Sequence, residues 1–225
     1  MKRLLDLILG LCILILFLPI GVLIALLLRL TGEGEVFYRQ ERIGIGGNPF
    51  GLLKFATMVK NSANMATGTV TVKNDPRVLP IGKFLRKTKL NEVPQIINVL
   101  KGDMSMVGPR PLTAQTFNFY SASVQAEIKK IKPGLTGVGS IVFRDEESIM
   151  ARSSKPPIDC YQEDIAPHKG ALELWYIQHK SFWLDLELIA LTAAAVLLPR
   201  SRLHLKFLKD LPATPLALIP KVDKH

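Results

Sequence analysis

The sequence predicts a mixed α+β chain, mostly helical, that opens on a membrane helix and continues into a small globular region with a strand–turn unit. Three observations lead there. Leu7 to Leu28 runs for 22 positions without a formal charge, long enough for a helix to cross a bilayer. "EVFYRQERIG" mixes aromatic and β-branched residues with charges and runs into the glycine-rich "IGGNPFG", the pattern of a strand followed by a turn. Val93, Ile96, Ile97 and Leu100 recur at helical spacing and mark one buried face. Hydrophobic residues make up 48% of the 225 positions, high for a soluble chain of one sizeable or two small domains.

The first apolar segment is too long for a cleaved signal peptide, and no small-x-small site precedes "TGEGE". Pro19 lies near its middle, with Gly21 two residues on. A proline inside a helix costs roughly 3 kcal/mol. A kink there leaves arms of about 18 Å and 11–14 Å, neither matching a hydrocarbon core of about 30 Å. Positive charge flanks both ends, at Lys2, Arg3 and Arg29, as for a helix that returns to the side it entered. From the residues alone, a re-entrant hairpin and a single kinked span stay open.

After the first strand, "LLKFATM" reads as a second strand, closing a short β-hairpin, or as a helix. Gly44, Gly46 and Gly47 are not a dinucleotide fingerprint, because no apolar strand leads in and no acidic residue follows at the right distance. "SANMATGTVTVKNDPR" reads as an exposed, mobile loop. "FWLDLELIALTAAAVLLP" has an uncharged core, Leu188 to Leu198, too short to span, and reads as an interfacial or a buried helix. In the tail, Arg200, Arg202, Lys206 and Lys209 alternate with Leu203, Leu205, Phe207 and Leu208, which suits an anionic membrane surface or a solvated tail. Pro212, Pro215 and Pro220 end regular structure.

Lys and Arg outnumber Asp and Glu by 29 to 19, a net charge of +10. Such a surplus favours a polyanionic partner. Nucleic acid is a poor fit, because aromatics are only 7% and cluster in the apolar segments, leaving no stacking platform. The two cysteines show no metal-ligand or disulfide spacing.

The charge concentrates between Lys73 and Arg110, with eight basic residues against three acidic ones. Asn91 reads as an N-cap, Pro94 as a first-turn proline and Gly102 as a helix stop. Glu92 then projects from a helix N-terminus, where free N–H groups attract anions. Arg86 and Arg110 are placed to clamp phosphate oxygens. A carboxylate among bound phosphates calls for a bridging cation, and Mg²⁺ uses one or two carboxylates plus substrate oxygens.

On these residues the chain resembles the bacterial sugar transferases of the small monotopic phosphoglycosyl transferase type. The resemblance rests on the apolar helix with Pro19, "VFYRQERIGIGGNPFGLLKFATM", "NDPRVLPIGKFLRKTKLNEVPQIINVLKGDMSMVGPRPL", "IKPGLTGVGS" and "LWYIQHKSFWLDLELI". It implies transfer of a phosphosugar from a UDP-sugar to polyprenyl (undecaprenyl) phosphate with release of UMP, the first membrane step of O-antigen, capsule or exopolysaccharide synthesis. It implies a re-entrant membrane helix over 1–30, a cytoplasmic catalytic domain over 31–199 with interfacial helices and a short β-hairpin, and a basic tail over 200–225. The partners are UDP-sugar, polyprenyl phosphate and the cytoplasmic leaflet of the bacterial inner membrane, with no nucleic acid; a homodimer is compatible. Carried over by position, Glu92 is the Mg²⁺-associated carboxylate and Arg86, Arg110, Lys54 and Arg77 are phosphate contacts.

The family's nucleophile position, an Asp that attacks the sugar-linked phosphate, is Asn91 here. An amide is a very poor oxygen nucleophile. The segment after "GLTGVGS" also departs from the usual family wording and adds Asp145, Glu146 and Glu147. Three readings of Asn91 follow. Glu92 or a carboxylate of that cluster attacks instead; the lipid phosphate attacks directly; or the chain is a non-catalytic, membrane-associated binder of UDP-sugar and lipid phosphate.

Overall fold

A computed structural model describes residues 1–65, 71, 72, 74–198, 204–208, 210–215 and 218. Helix α1 (Lys2–Thr31) is a single α-helix with Pro19 inside it, about 45 Å long at the usual rise. It does not break where the sequence suggests a kink. A helical proline forfeits one backbone bond and crowds one carbonyl, and Pro19 and Ile15 both lie on the exposed side.

Asp6, Gly10, Ile13, Phe17, Gly21, Ile24 and Leu28 follow one another at steps of three and four and are buried or half-buried. This stripe seats α1 against the globular part along its whole length. At the N-terminal end, Lys2 donates to Asp185 Oδ2 at 2.6 Å and to the Tyr176 hydroxyl at 3.0 Å. Arg3 donates to the Val99 and Leu100 carbonyls at 2.6 and 2.7 Å. Asp6 Oδ1 accepts from Ser105 Oγ at 3.0 Å and Met106 N at 2.8 Å. At the other end, Ile24 and Leu28 join Phe55 and Leu85 in a small apolar cluster, and Arg29 bonds the Gly34 carbonyl at 2.7 Å. Of the three flanking cations that suggested membrane topology, Lys2 and Arg3 are thus docking contacts, and Arg29 makes a local one.

Strands β1 (Phe37–Ile43) and β2 (Pro49–Phe55) pair antiparallel, Phe37 opposite Phe55 and Tyr38 opposite Lys54. The second arm is therefore a strand. Gly46 and Gly47 take φ of 71° and 81° in the linking turn, which glycine adopts without a Cβ penalty. Side chains alternate along a strand, so Tyr38, Arg42 and Lys54 share one face, while Phe37 and Phe55 stack at 5.5 Å on the other.

Helix α2 (Pro80–Lys87) starts on its proline. Helix α3 (Gln95–Lys101) stops at Gly102, φ 95°, as its sequence predicts. Asn98 pins α3 to β2: its Nδ2 donates to the Gly51 carbonyl at 2.9 Å and its Oδ1 accepts from Leu53 N at 3.0 Å. Strands β3 (Ser105–Val107) and β4 (Gly134–Thr136) form a parallel pair that the sequence reading misses, since three residues are too few to show alternation.

The rest is helical: α4 (Ala114–Phe117) and α5 (Ala122–Ile128), with Thr113 and Ser121 as side-chain caps, then α6 (Val138–Val142), α7 (Glu146–Arg152) and α8 (Pro157–Cys160). A π-helical turn, Tyr161–Ile165, feeds α9 (Ala166–His179), followed by α10 (Phe182–Leu197) and α11 (His204–Phe207). Val99, Met104, Ile165, Leu172, Tyr176 and Leu188 are at the centre of the main core. In α10, Asp185, Leu188 and Leu191 face that core while Trp183, Val196 and Leu197 are exposed, so the helix is buried along one face and open along the other. The loop expected at "SANMATGTVTVKNDPR" lies partly outside the described residues, as do Lys73, Arg200, Arg202, Leu203, Lys209 and Pro220. Leu208 and Leu218 of the tail pack on the core.

Candidate active site

The site forms where β2 and α2 meet on either side of a 3-10 turn, Leu90–Glu92. Lys89 reverses the chain in a left-handed conformation, φ 62°. Pro94 has no N–H to give the Leu90 carbonyl an α-helical bond. Val93 N takes that carbonyl instead, at 3.2 Å, and the turn tightens. Asn91 is accordingly not the N-cap of α3, which begins at Gln95 behind Pro94 with no side-chain cap. Asn91 is 5% exposed and its Oδ1 has no hydrogen-bond partner. Cationic side chains, more than the end of a seven-residue helix, set the field here.

Glu92 is bonded through Oε1 to Arg110 Nη2 at 3.1 Å. Burial works against its charge, but Arg110, Lys54 and Lys89 outweigh burial and hold its carboxyl at about 2. Burial pushes the Lys54 ammonium down to about 7; Arg42, Arg110 and Arg86 add to this and Glu92 opposes it. Arg42 is drawn down to about 10 by burial and by Arg110 and remains cationic at neutral pH. Its Nη1 donates to the Pro111 carbonyl at 3.1 Å, while its Nε has no partner. Arg110, Lys54, Lys89 and Arg42 thus act on the ionised Glu92, and Arg86 acts on Lys54 and Lys89, an excess of positive charge that an anion would relieve.

Arg86 is held by Glu147 at 3.1 Å. Glu146 pairs with Lys169, whose ammonium lies 5.6 Å from the Phe143 ring centre and 5.4 Å from that of Tyr161. The extra carboxylates after β4 therefore start α7 and engage cations of the site. Behind Arg110, Glu173 is 1% exposed. Its Oε1 accepts from Arg110 N at 3.4 Å, its Oε2 is unpartnered, and burial pushes its pKa up to about 7.

Of the expected residues, Asn91, Glu92, Lys54, Arg86 and Arg110 come together. Arg77 does not join them as a phosphate contact. It is 3% exposed and locked to Asp75 by Nε at 2.9 Å and Nη2 at 2.6 Å, with Nη1 on the Ser62 and Met65 carbonyls at 2.7 and 2.8 Å. It braces a loop, because a buried guanidinium requires its donors to be met. Sequence reasoning missed Arg42, Lys169 and Glu173. Arg42 was signalled by two-residue alternation with Tyr38 in β1; Lys169 and Glu173, four apart, were signalled as charges in an otherwise apolar helix.

Among the described residues no three His, Cys, Asp or Glu side chains converge on a metal position. The ionised Glu92 carboxylate and the unpartnered Asn91 Oδ1 are hard oxygens on consecutive residues of the turn. They fit Mg²⁺, which takes one or two protein oxygens and draws the rest from substrate and water.

The model of the bacterial sugar transferase family matches residues 1–199; the chain belongs to that family. It is 39% identical over 196 residues to the UDP-glucose:undecaprenyl-phosphate glucose-1-phosphate transferase of Klebsiella pneumoniae, covering 85% of this chain and 39% of that protein. It is 34% identical over 200 residues to the protein of the same name from Caulobacter vibrioides, covering 87% and 69%. It is 32% identical over 213 residues to the exopolysaccharide production protein ExoY of Rhizobium meliloti, covering 88% and 86%. The chain thus spans about two-fifths of the Klebsiella protein.

Proposed function

We propose that the chain transfers a phosphosugar from a UDP-sugar to polyprenyl phosphate, releasing UMP, at the cytoplasmic face of a bacterial inner membrane. One observation carries this reading: five cations collected in one site with Glu92, where burial first and cationic neighbours second depress Lys54 and Arg42. A diphosphate entering there is bound by charges already oriented and partly desolvated. Lys54 regains its full charge as the anion arrives, and Arg110 and Arg42 hold the phosphate oxygens where negative charge grows.

Glu92, with Asn91 Oδ1 beside it, would hold Mg²⁺. That ion supplies Lewis-acid neutralisation of the diphosphate when bound. The residues themselves position: Glu92 keeps Arg110 turned into the site, and Asn91 offers a neutral oxygen at the same turn.

Glu92, Glu146 and Glu147 are each tied in an ion pair, which disfavours these three as nucleophiles, and we take direct displacement as the mechanism, with an adduct on Asp145 as the alternative outcome. An oxygen of the lipid phosphate forms a bond to the sugar-bearing phosphorus. The bond from that phosphorus to the bridging oxygen breaks, and its electron pair leaves on UMP. The family resemblance and the relatives' printed activities support the substrates.

Membrane attachment in this reading is monotopic. Lys2, Arg3 and Asp6 at one end of α1, and Ile24 and Leu28 at the other, rest on the same globular part. That supports a helix lying along one face of the bilayer, with Leu4, Ile8, Leu11, Ile15 and Leu26, all exposed, turned toward lipid.

UMP release from UDP-sugars in the presence of Mg²⁺ and undecaprenyl phosphate, with intact-protein mass measured alongside, tests both claims. UMP without a phosphosugar adduct is expected. No UMP with any UDP-sugar refutes the activity, and an adduct on the wild-type chain refutes direct displacement.

A further inference from the structure

Arg110 lies in the middle of "GPRPL", residues 108–112. The backbone of this segment is held at each step. Gly108 N donates to the Thr136 carbonyl at 3.0 Å, and the Pro109 carbonyl accepts from Gly134 N at 2.8 Å. Arg42 Nη1 donates to the Pro111 carbonyl at 3.1 Å, and Ile43 N donates to the Leu112 carbonyl at 2.9 Å. Arg110 N goes to a side chain instead, Glu173 Oε1 of α9, at 3.4 Å.

Among the described residues that is the only hydrogen bond of the Glu173 carboxyl. Burying a carboxyl at 1% exposure for one bond costs stability, and an apolar side chain of that size would serve the core better. Packing alone therefore does not account for Glu173. Room is kept for it as well: a Cβ on Gly139, in α6, would lie 2.5 Å from Glu173 Oε1. Lys169, one turn earlier in α9, is committed to Glu146, which leaves Arg110 N as the partner of Glu173.

We propose that Glu173 is a positioning residue for the transfer: by holding Arg110 N it sets the point from which the Arg110 side chain reaches the phosphate oxygens. This rests on the transferase reading and adds to it a residue that never touches substrate. Arg110 is tied at both ends, its guanidinium on Glu92 at 3.1 Å and its backbone on Glu173. When a diphosphate competes for the guanidinium, the backbone tie keeps its root in place.

The full chain in detergent tests this in two ways. In UMP-release assays with UDP-sugar, Mg²⁺ and undecaprenyl phosphate, Glu173→Ala lowers kcat about ten- to hundredfold and moves both KM values far less. Gly139→Ala does the same from the other side, because its new Cβ meets the far end of a side chain and turns the carboxyl away without prising backbones apart. Glu173→Gln, whose amide oxygen accepts the same bond, keeps the wild-type kcat. In an Arg110→Ala background, Glu173→Ala changes kcat by less than about twofold, since no guanidinium is left to position. Equal losses in the two backgrounds, or a Glu173→Gln as slow as Glu173→Ala, overturn the assignment.

Amide hydrogen exchange read by mass spectrometry needs no turnover. Within 108–112 only Gly108, Arg110 and Leu112 carry a backbone N–H, because the other two residues are prolines. One of these amides exchanges at least about tenfold faster in Glu173→Ala and Gly139→Ala than in the wild type and Glu173→Gln, while α3 keeps its protection. Uniform exchange in all four overturns the assignment. Should Glu173→Ala fail to fold, Gly139→Ala decides. If the wild-type chain releases no UMP, the transferase reading fails by itself, and the exchange at Arg110 still decides whether Glu173 holds it.

Discussion

Glu173→Gln should change how the stability of the protein responds to pH. Glu173 is buried, its Oε2 has no partner, and its carboxyl is raised from 4.5 to about 7 chiefly by burial. A carboxyl raised on folding binds its proton more tightly in the native state than in the unfolded one. Below about pH 4.5 it is neutral in both states and costs nothing. As pH rises through 7 the native protein must ionise it, and stability is lost. Between pH 5 and pH 8 this shift removes about 2–3 kcal/mol from the wild type. A glutamine side chain never ionises, so the variant escapes that loss. At this chain length such a difference corresponds to roughly 4–12 °C in Tm. The assay is thermal unfolding of both proteins in one detergent at about pH 5 and about pH 8. The Tm difference, variant minus wild type, should grow by that amount at the higher pH. Parallel behaviour would mean that Glu173 is not a buried carboxyl with an unpaired oxygen.

The other predictions concern the site. Glu147→Gln frees Arg86 from its 3.1 Å partner; a half-exposed pair is worth at most about 1 kcal/mol, so UDP should bind about two- to fivefold more tightly by calorimetry, and weaker binding would show that Glu147 orders the site. Asn91→Asp puts an acid back at the buried turn and should preserve or raise UMP release, with a phosphosugar adduct appearing by intact mass; complete loss of turnover would mean that the site is built around the amide. Glu92→Gln should abolish metal-dependent UMP release while the protein stays folded by circular dichroism, and a normal rate would misplace the metal.

Much of this was legible in the sequence where one residue type has one main use. Gly102 stops α3, the glycines after β1 make a hairpin turn, and the long uncharged run is a helix. Arg86 and Arg110 stand out because charge density can be read in a sequence, whereas Lys54 and Arg77 came from the family resemblance. Composition does not tell whether a guanidinium faces a ligand or, as Arg77 does, the Asp two residues before it. The N-cap expected at Asn91 failed because Pro94 withholds a single hydrogen. Glu173 and Lys169 come to Arg110 through the packing of α9 on the loop after β3, and no local pattern encodes such distant proximity.

The inward stripe of α1 has a practical consequence for anyone seeking a water-soluble version of the protein. The hydrophobic helix is also a wall of the folded body, and Asp6 closes hydrogen bonds at Ser105 and Met106. Truncating it would strip those groups of their partner and bare the α3 surface beneath Gly10. Solubility is better sought by recolouring the outward leucines than by amputation.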